Sequence, residues 1–358
     1  MIWTIVFAIL LFSLIIFVHE LGHFLTARLF RVKVHEFAIG MGPQLFSWWG
    51  KGDTEYSIRA IPVGGFCSME GEDETSDDAG SFSAKPWWQK LIVLAAGSAM
   101  NIILGFLIFT IFVSVFYQGS GIPTTTVDTV IEQSALYGEL RPGDRIVAIN
   151  DSRINIKRDI DFAMQRCGGD ECTVTVKRGG EKLKFPFKPI EAKYTDGSPA
   201  YLIGITSAMQ NVGVVSVIRE SFYQTVWMGK VVFVSLGMLI NGEVGVGEMS
   251  GPVGVVDAMN SAVNDAASSA PEGQGMLAGL LALLSLASFI SVNIGIMNLL
   301  PIPALDGGRI FFVIIEAIRR KPIPPEKEGI VHFVGLVLLL GVMVFATWND
   351  IMRLISRL

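Results

Sequence analysis

His19-Glu20-Leu21-Gly22-His23 brings two imidazoles and a carboxylate together at the end of a segment, Met1 to Val18, that carries no charged residue. In a helix, residues four apart share one face about one turn apart, so His19 and His23 can grip a single zinc ion. Glu20 falls on the neighbouring face, close enough to take a proton from a water attacking beside that ion. This H-E-x-x-H order is the arrangement of a metal-dependent hydrolase, with the glutamate as base. The chain has only four His, and ionisable groups at membrane depth are costly and usually functional, which argues against a chance cluster.

The elements that must position these residues are set by composition. With 358 residues, 51% of them hydrophobic, and a mean hydropathy of +0.51, the chain is too apolar for an ordinary soluble protein. It reads as a polytopic α-helical membrane protein with four transmembrane helices, a membrane-associated β-hairpin loop and one inserted soluble domain. A net charge of -5 gives no reason to expect nucleic acid as a partner, and three Cys do not make a disulfide scaffold.

The expected spans are 1–27, carrying the His-Glu motif, then 90–117, 276–308 and 329–348. The first lacks a basic leader and is longer than a signal peptide's apolar core, so it reads as retained. Arg28, Arg31 and Lys33 follow it directly, which by the positive-inside rule sets this end in the cytoplasm and the N-terminus outside. Residues 28–89 then form a cytoplasmic-side loop in which Thr54 to Val63 has strand character and closes on Gly64-Gly65. The acidic run Glu70 to Asp78 reads as a solvated loop. In the second span Asn101 is the one strongly polar interior residue; a helix–helix hydrogen bond is favoured over a direct role in the site.

From Gly119 the composition turns soluble. Pro142-Gly143 makes a turn and Arg145 to Asn150 alternates like a strand, a run that resembles the core signature of a PDZ domain. Further strands are expected at 127–130, 172–177 and 183–187 and a helix at 156–166, within a domain bounded at 118–192. Following an outward span, it should be extracytoplasmic; a peptide-binding role by strand addition competes with that of a β-rich spacer. Cys167 and Cys172 lie in it, either bridged or free. Residues 193–275 form an interfacial helix and loop region, in which 217–240 is interfacial or re-entrant because a full crossing would reverse the direction of the next span.

That next span ends in Asn298-Leu-Leu-Pro301-Ile-Pro303-Ala-Leu-Asp306-Gly-Gly308, followed by a cytoplasmic loop at 309–328 and, after the last span, a tail at 349–358. For the third metal ligand, a downstream His at the extended-motif positions is ruled out by Thr26 and Leu29. His35, Glu36, Cys67 and His332 stay open on topology. Asp306 is preferred, because its flanking prolines and glycines bring a carboxylate to a fixed, non-helical place at the depth of His19 and His23; as a bland alternative it caps a helix.

Taken together, His-Glu-Leu-Gly-His at the end of a first span, a PDZ-like insert and Asn-x-x-Pro-x-Pro-x-x-Asp-Gly-Gly at the end of a later span resemble the site-2 protease family of intramembrane zinc metalloproteases, in its bacterial RseP-like branch. The resemblance covers nearly the whole chain. It implies that His19, His23 and Asp306 bind one zinc ion, that Glu20 is the base, and that Asn298 holds the substrate or polarises the scissile carbonyl. It also implies that the 54–63 hairpin lies in the membrane and presents an edge to the substrate, with contacts at Ser57, Ile58, Arg59 and Ala60, and a further one at Asn293. Expected partners are single-span membrane proteins such as anti-sigma factors or remnants of earlier cleavage, a peptide or substrate ectodomain at the PDZ-like domain, and the bilayer of a bacterial cytoplasmic membrane. One departure from the branch is the single PDZ-like domain, where some members carry two in tandem. The competing function class is a non-catalytic scaffold or metal-handling protein, for which Glu20 would be superfluous.

Overall fold

The computed structural model describes residues 2–50, 53–72, 76, 78–194, 197–245, 247, 249–321 and 323–356. In chain order its first elements are α1 (Ile2–Leu29), β1 (Val34–Trp49), β2 (Glu55–Met69) and α2 (Trp87–Phe116). Next come β3 (Ile122–Val130), β4 (Arg145–Ile149), β5 (Ser152–Arg153), α3 (Lys157–Cys167), β6 (Cys172–Arg178), β7 (Glu181–Phe187), β8 (Ile190–Lys193), β9 (Pro199–Leu202) and β10 (Ile205–Gln210). The chain continues through α4 (Val214–Ile240), α5 (Pro252–Ser269), α6 (Gly275–Leu299), α7 (Asp306–Arg319) and α8 (Pro325–Ser356). Contacts divide it into one unit made of Met1–Phe109 with Met228–Leu358 and another made of Thr110–Trp227.

In the first unit, α1, α2 and α6 are apolar around their whole circumference, as helices surrounded by lipid and other helices must be. Lipid tails give such helices no hydrophobic reason to associate, so small residues and hydroxyls bring them together. A Cβ on Gly22 of α1 would lie 2.7 Å from the Ala96 carbonyl carbon of α2. The Ser288 and Ser291 hydroxyls of α6 donate to the Gly105 and Asn101 carbonyls of α2, each at 2.7 Å. These pairings set α2 antiparallel to both α1 and α6. Around Ile15, α1 also packs against Met259 of α5 and against Leu283 and Ala287 of α6.

Five helices among the described residues are long and apolar enough to cross a membrane, one more than the four expected: the addition is α4, over Val214–Ile240. A second difference is that the expected 276–308 span stops at Leu299 as α6, and an amphipathic helix, α7, starts at Asp306 and runs into the expected 309–328 loop, ending where Arg320 turns to φ 54°. The 28–89 loop carries more than a hairpin. Left-handed Gly40 and Gly42 (φ 88° and 83°) bend β1, and Gly64 (φ 97°) bends β2, so the two strands fold into four paired segments. Residues 34–39 lie between 65–69 on one side and 55–58 on the other, and 44–49 pairs with the far side of 55–59.

The second unit is built on an antiparallel sheet in the order β10-β3-β4-β6-β7, with β5 paired to β4. Its core holds Val127, Ile146, Val174 and Val176 from the strands with Ile160 and Met164 from α3, close to the expected strands and helix. The expected limit at 192 falls short, since Ile205 to Gln210 pairs with Val130 to Ile122 and supplies an outer strand. Only six residues long, and reached through positive-φ Gly204, that strand carries too little sequence to announce itself. Cys167 and Cys172 are disulfide-bonded.

Candidate metal centre

His19 and His23 sit one turn apart on the last part of α1, both buried, with their imidazole Nε2 atoms 3.2 Å apart. Asp306 arrives from the far end of the sequence. After α6 stops at Leu299, Pro301 and Pro303 deny the backbone two donors, and Ala304 takes φ 73°, a conformation costly for a residue with a Cβ. The Ala304 N–H is held by His332 Nδ1 of α8 at 2.9 Å, and the turn delivers Asp306 as the first residue of α7. Its Oδ2 lies 3.0 Å from His19 Nε2 and 3.3 Å from His23 Nε2. This Oδ2 is buried and has no hydrogen bond of acceptable geometry. Three electron-pair donors drawn from three side chains, all within 4.8 Å of one another, are a group that a cation resolves.

The far side of His23 supports that assignment. Its Nδ1 is 2.8 Å from the Val93 carbonyl of α2, which can only accept, so Nδ1 carries the proton and Nε2 keeps its lone pair for an ion. His19 Nδ1 faces the side-chain amide of Asn101 at 3.3 Å, so the favoured sequence reading of Asn101 as a helix–helix hydrogen bond leads to a ligand rather than to a bystander. Between these two contacts on α2 stands Gly97, where a Cβ would lie 2.8 Å from His19 Nε2 and press on His23 Nε2.

A cavity of about 360 Å³ opens beside the group, lined by Glu20, His23 and Asp306 with Phe66, Cys67 and Ser68 of β2. Glu20 thus shares a solvent-sized space with two of the three candidate ligand residues. Gly65 of β2 lies in van der Waals reach of Glu20, and a Cβ there would stand 2.8 Å from the Ala38 carbonyl oxygen of the neighbouring strand. Cys67 lines the cavity but, among the described residues, stands outside the group of donor atoms that meet within 4.8 Å. His35 pairs instead with Glu70 and Glu36 with Arg59, while His332 is committed to the Ala304 turn. Arg309 of α7 and Glu72 form an ion pair at the same cavity.

Ser57, Ile58 and Arg59 lie on the inner segment of the sheet, paired to 38–39 on one side and to 44–47 on the other, so their strand has no open edge. Ala60 follows them, and none of the four lines the cavity. The segment that does is 66–69, paired on one side to 34–38. Asn293 and Asn298 are half-buried on the last three turns of α6, and neither lines the cavity. Sequence reasoning did not single out Gly97, the Val93 carbonyl, the His332 clamp or the Arg309–Glu72 pair. A Gly four residues before the flagged Asn101 was the one available signal.

Comparison with known proteins agrees with this geometry. A Clostridium acetobutylicum protein assigned as a zinc metalloprotease is 36% identical over 98% of this chain and 97% of its own length. The regulator of sigma-W protease RasP of Bacillus subtilis is 31% identical over 98% and 99%, and the zinc metalloprotease RasP of Geobacillus kaustophilus 28% over 98% of each. Residues 7–342, which include both halves of the metal group, match Peptidase family M50. With a peptidase's ligand set, a neighbouring carboxylate and a match along almost its full length, this chain belongs to peptidase family M50, the site-2 protease family.

Proposed function

We propose that the chain is a zinc-dependent endopeptidase working inside a bacterial cytoplasmic membrane, where it cleaves the transmembrane segments of single-span proteins. The observation that carries this reading is the meeting of His19, His23 and Asp306 beside Glu20 and a cavity, within a bundle of lipid-length helices. One zinc ion per chain, held by those three residues, supplies a Lewis acid that makes water a nucleophile near neutral pH and polarises a peptide carbonyl. Glu20 accepts the proton of the attacking water and returns it to the leaving nitrogen. Asn298 is proposed to assist at the developing oxyanion and Asn293 to contact the substrate.

A transmembrane helix hides its carbonyls in i to i−4 hydrogen bonds, so the substrate must unwind locally before attack. The 65–69 segment of β2 can take the extended chain by strand addition at the rim of the cavity. On this reading Ser57 to Ala60 support that edge from within the sheet rather than forming it. The second unit is proposed to be a PDZ-like domain on the outer side, engaging a peptide or the substrate's ectodomain. The name of the Bacillus subtilis relative favours membrane-bound regulators of sigma factors as one substrate class.

Reconstituted full-length chain with a single-span reporter tests the mechanism. Glu20→Gln should lower cleavage by about 100- to 10,000-fold while one zinc per chain is retained. Undiminished cleavage by this variant overturns the mechanism, and a wild-type chain that binds zinc yet cleaves no reporter favours the scaffold alternative.

A further inference from the structure

The second imidazole has an outer contact whose polarity is decided by the ion it serves. Asn101 is fully buried on α2, with its side-chain amide facing His19 Nδ1 and its Oδ1 without any hydrogen-bond partner. His19 Nε2 is the atom that meets Asp306 and His23 Nε2. A neutral imidazole that gives one nitrogen to a metal carries its proton on the other, so His19 Nδ1 is a donor and its neighbour must accept. An amide nitrogen cannot accept; the amide oxygen can. Half a turn about the Cβ–Cγ bond exchanges the two ends of Asn101 at almost no cost in shape, and brings the unpartnered oxygen onto His19 Nδ1.

We propose that Asn101 is a positioning residue of the metal centre: its Oδ1 accepts the His19 Nδ1 proton, fixing the tautomer that presents Nε2 to the zinc ion. This rests on the zinc reading above and adds to it outer partners for both imidazoles on one helix. Val93, Gly97 and Asn101 are spaced four apart, so they stack on one face of α2 over two turns. The Val93 carbonyl orients His23, Gly97 leaves room for both rings, and Asn101 orients His19. The Asn101 backbone is itself held, because the Ser291 hydroxyl of α6 donates to its carbonyl at 2.7 Å. Helix α2 therefore has a task in the site although it contributes no ligand.

Zinc affinity of the full-length chain, stripped by chelator and titrated in detergent against a competing chelator, tests this separately from activity. Asn101→Ala, which removes the acceptor, should weaken zinc binding about 10- to 100-fold. Asn101→Asp keeps an acceptor and has no donor, and should bind zinc within a few-fold of wild type. Thermal unfolding of the metal-free forms shows whether a loss of affinity is merely a loss of fold. If Asn101→Ala is unfolded without metal, Asn101→Asp alone decides. Unchanged affinity in a folded Asn101→Ala, or a loss in Asn101→Asp of more than tenfold, overturns the proposal. A wild-type chain that fails to take up one zinc overturns the metal site itself, and this inference with it.

Discussion

A single methyl group on residue 97 is enough to test whether the room around the imidazoles matters. Its carbon would stand 2.8 Å from His19 Nε2 and would also press on His23 Nε2, where Gly22 already lets α1 lie close against α2. Gly97→Ala should therefore displace one ring from the ion and lower zinc content about tenfold or more, with a parallel loss of cleavage. The same methyl presses on the rings without an ion as well, so overpacking of about 1–3 kcal/mol works against the about 1 kcal/mol by which helix propensity favours Ala over Gly, and the metal-free variant should still fold. Zinc content by elemental analysis together with the melting temperature of the metal-free form separates the two effects. Residue-scale legibility follows the same division. His19, Glu20, His23 and Asp306 could be found in the sequence because their chemistry resides in side chains at telling spacings. The Val93 carbonyl and the space at Gly97 could not, since every residue has a carbonyl and a void has no letter.

At the scale of elements, the length of apolar runs revealed α1, α2, α6 and α8 and alternation revealed the interior strands; α5 and α7 went unannounced, and the reading failed where the backbone bends. The Thr54 to Val63 strand was legible, but its position between two other segments depends on left-handed glycines in both β1 and β2. Those turns move the open edge to 65–69, a segment whose Gly-Gly start reads locally as a turn. The second unit shows what a legible element can conceal. Asp144, just ahead of β4, has a side chain only 1% exposed and receives Arg178 at the end of β6 through Nε at 2.7 Å and Nη2 at 2.6 Å. Those bonds hold its carboxyl below the usual carboxylate range, so the folded state binds the proton more weakly than the unfolded chain does. The stability this contributes is present above the unfolded carboxylate pKa of about 3.9 and is lost as pH falls through the lower folded value. Unfolding of the second unit followed against pH should show stability falling below about pH 4. Asp144→Asn should flatten that decline and cost about 1–3 kcal/mol at pH 7.

For the whole membrane unit, loop length limits how many of the five lipid-length helices can cross. Ile5 of α1 lines a cavity with Pro252 and Val253 of α5 and Leu354 of α8, so these three elements meet at the N-terminal end of α1. His19 stands fourteen residues further on, about 21 Å along the helix, so the metal group lies toward the opposite end. The stretch after α4 belongs to the first of these ends. The Gly247 carbonyl receives Asn349 and Arg353 of α8, and the Gly254 N–H is bound by Asp350. From Asn241, just past α4, to Gly247 is six residue steps, which span about 21 Å at most when fully extended. A hydrocarbon core is about 30 Å thick, so a chain that had left α4 at the metal-side surface could not return this far. The prediction is four crossings, by α1, α2, α6 and α8, with α4 entering and not emerging, an arrangement compatible with both distances. They also leave the metal group on the side marked by Arg28, Arg31 and Arg319. With Cys67 replaced by Ser, single cysteines at exposed Asn241, Lys188 and Arg320 can be challenged with an impermeant thiol reagent in sealed vesicles of known orientation. Asn241→Cys should react from the same side as Lys188→Cys and opposite to Arg320→Cys. Reaction of Asn241→Cys from the side of Arg320→Cys would make α4 a fifth crossing, and would require α6 to enter from the metal side instead.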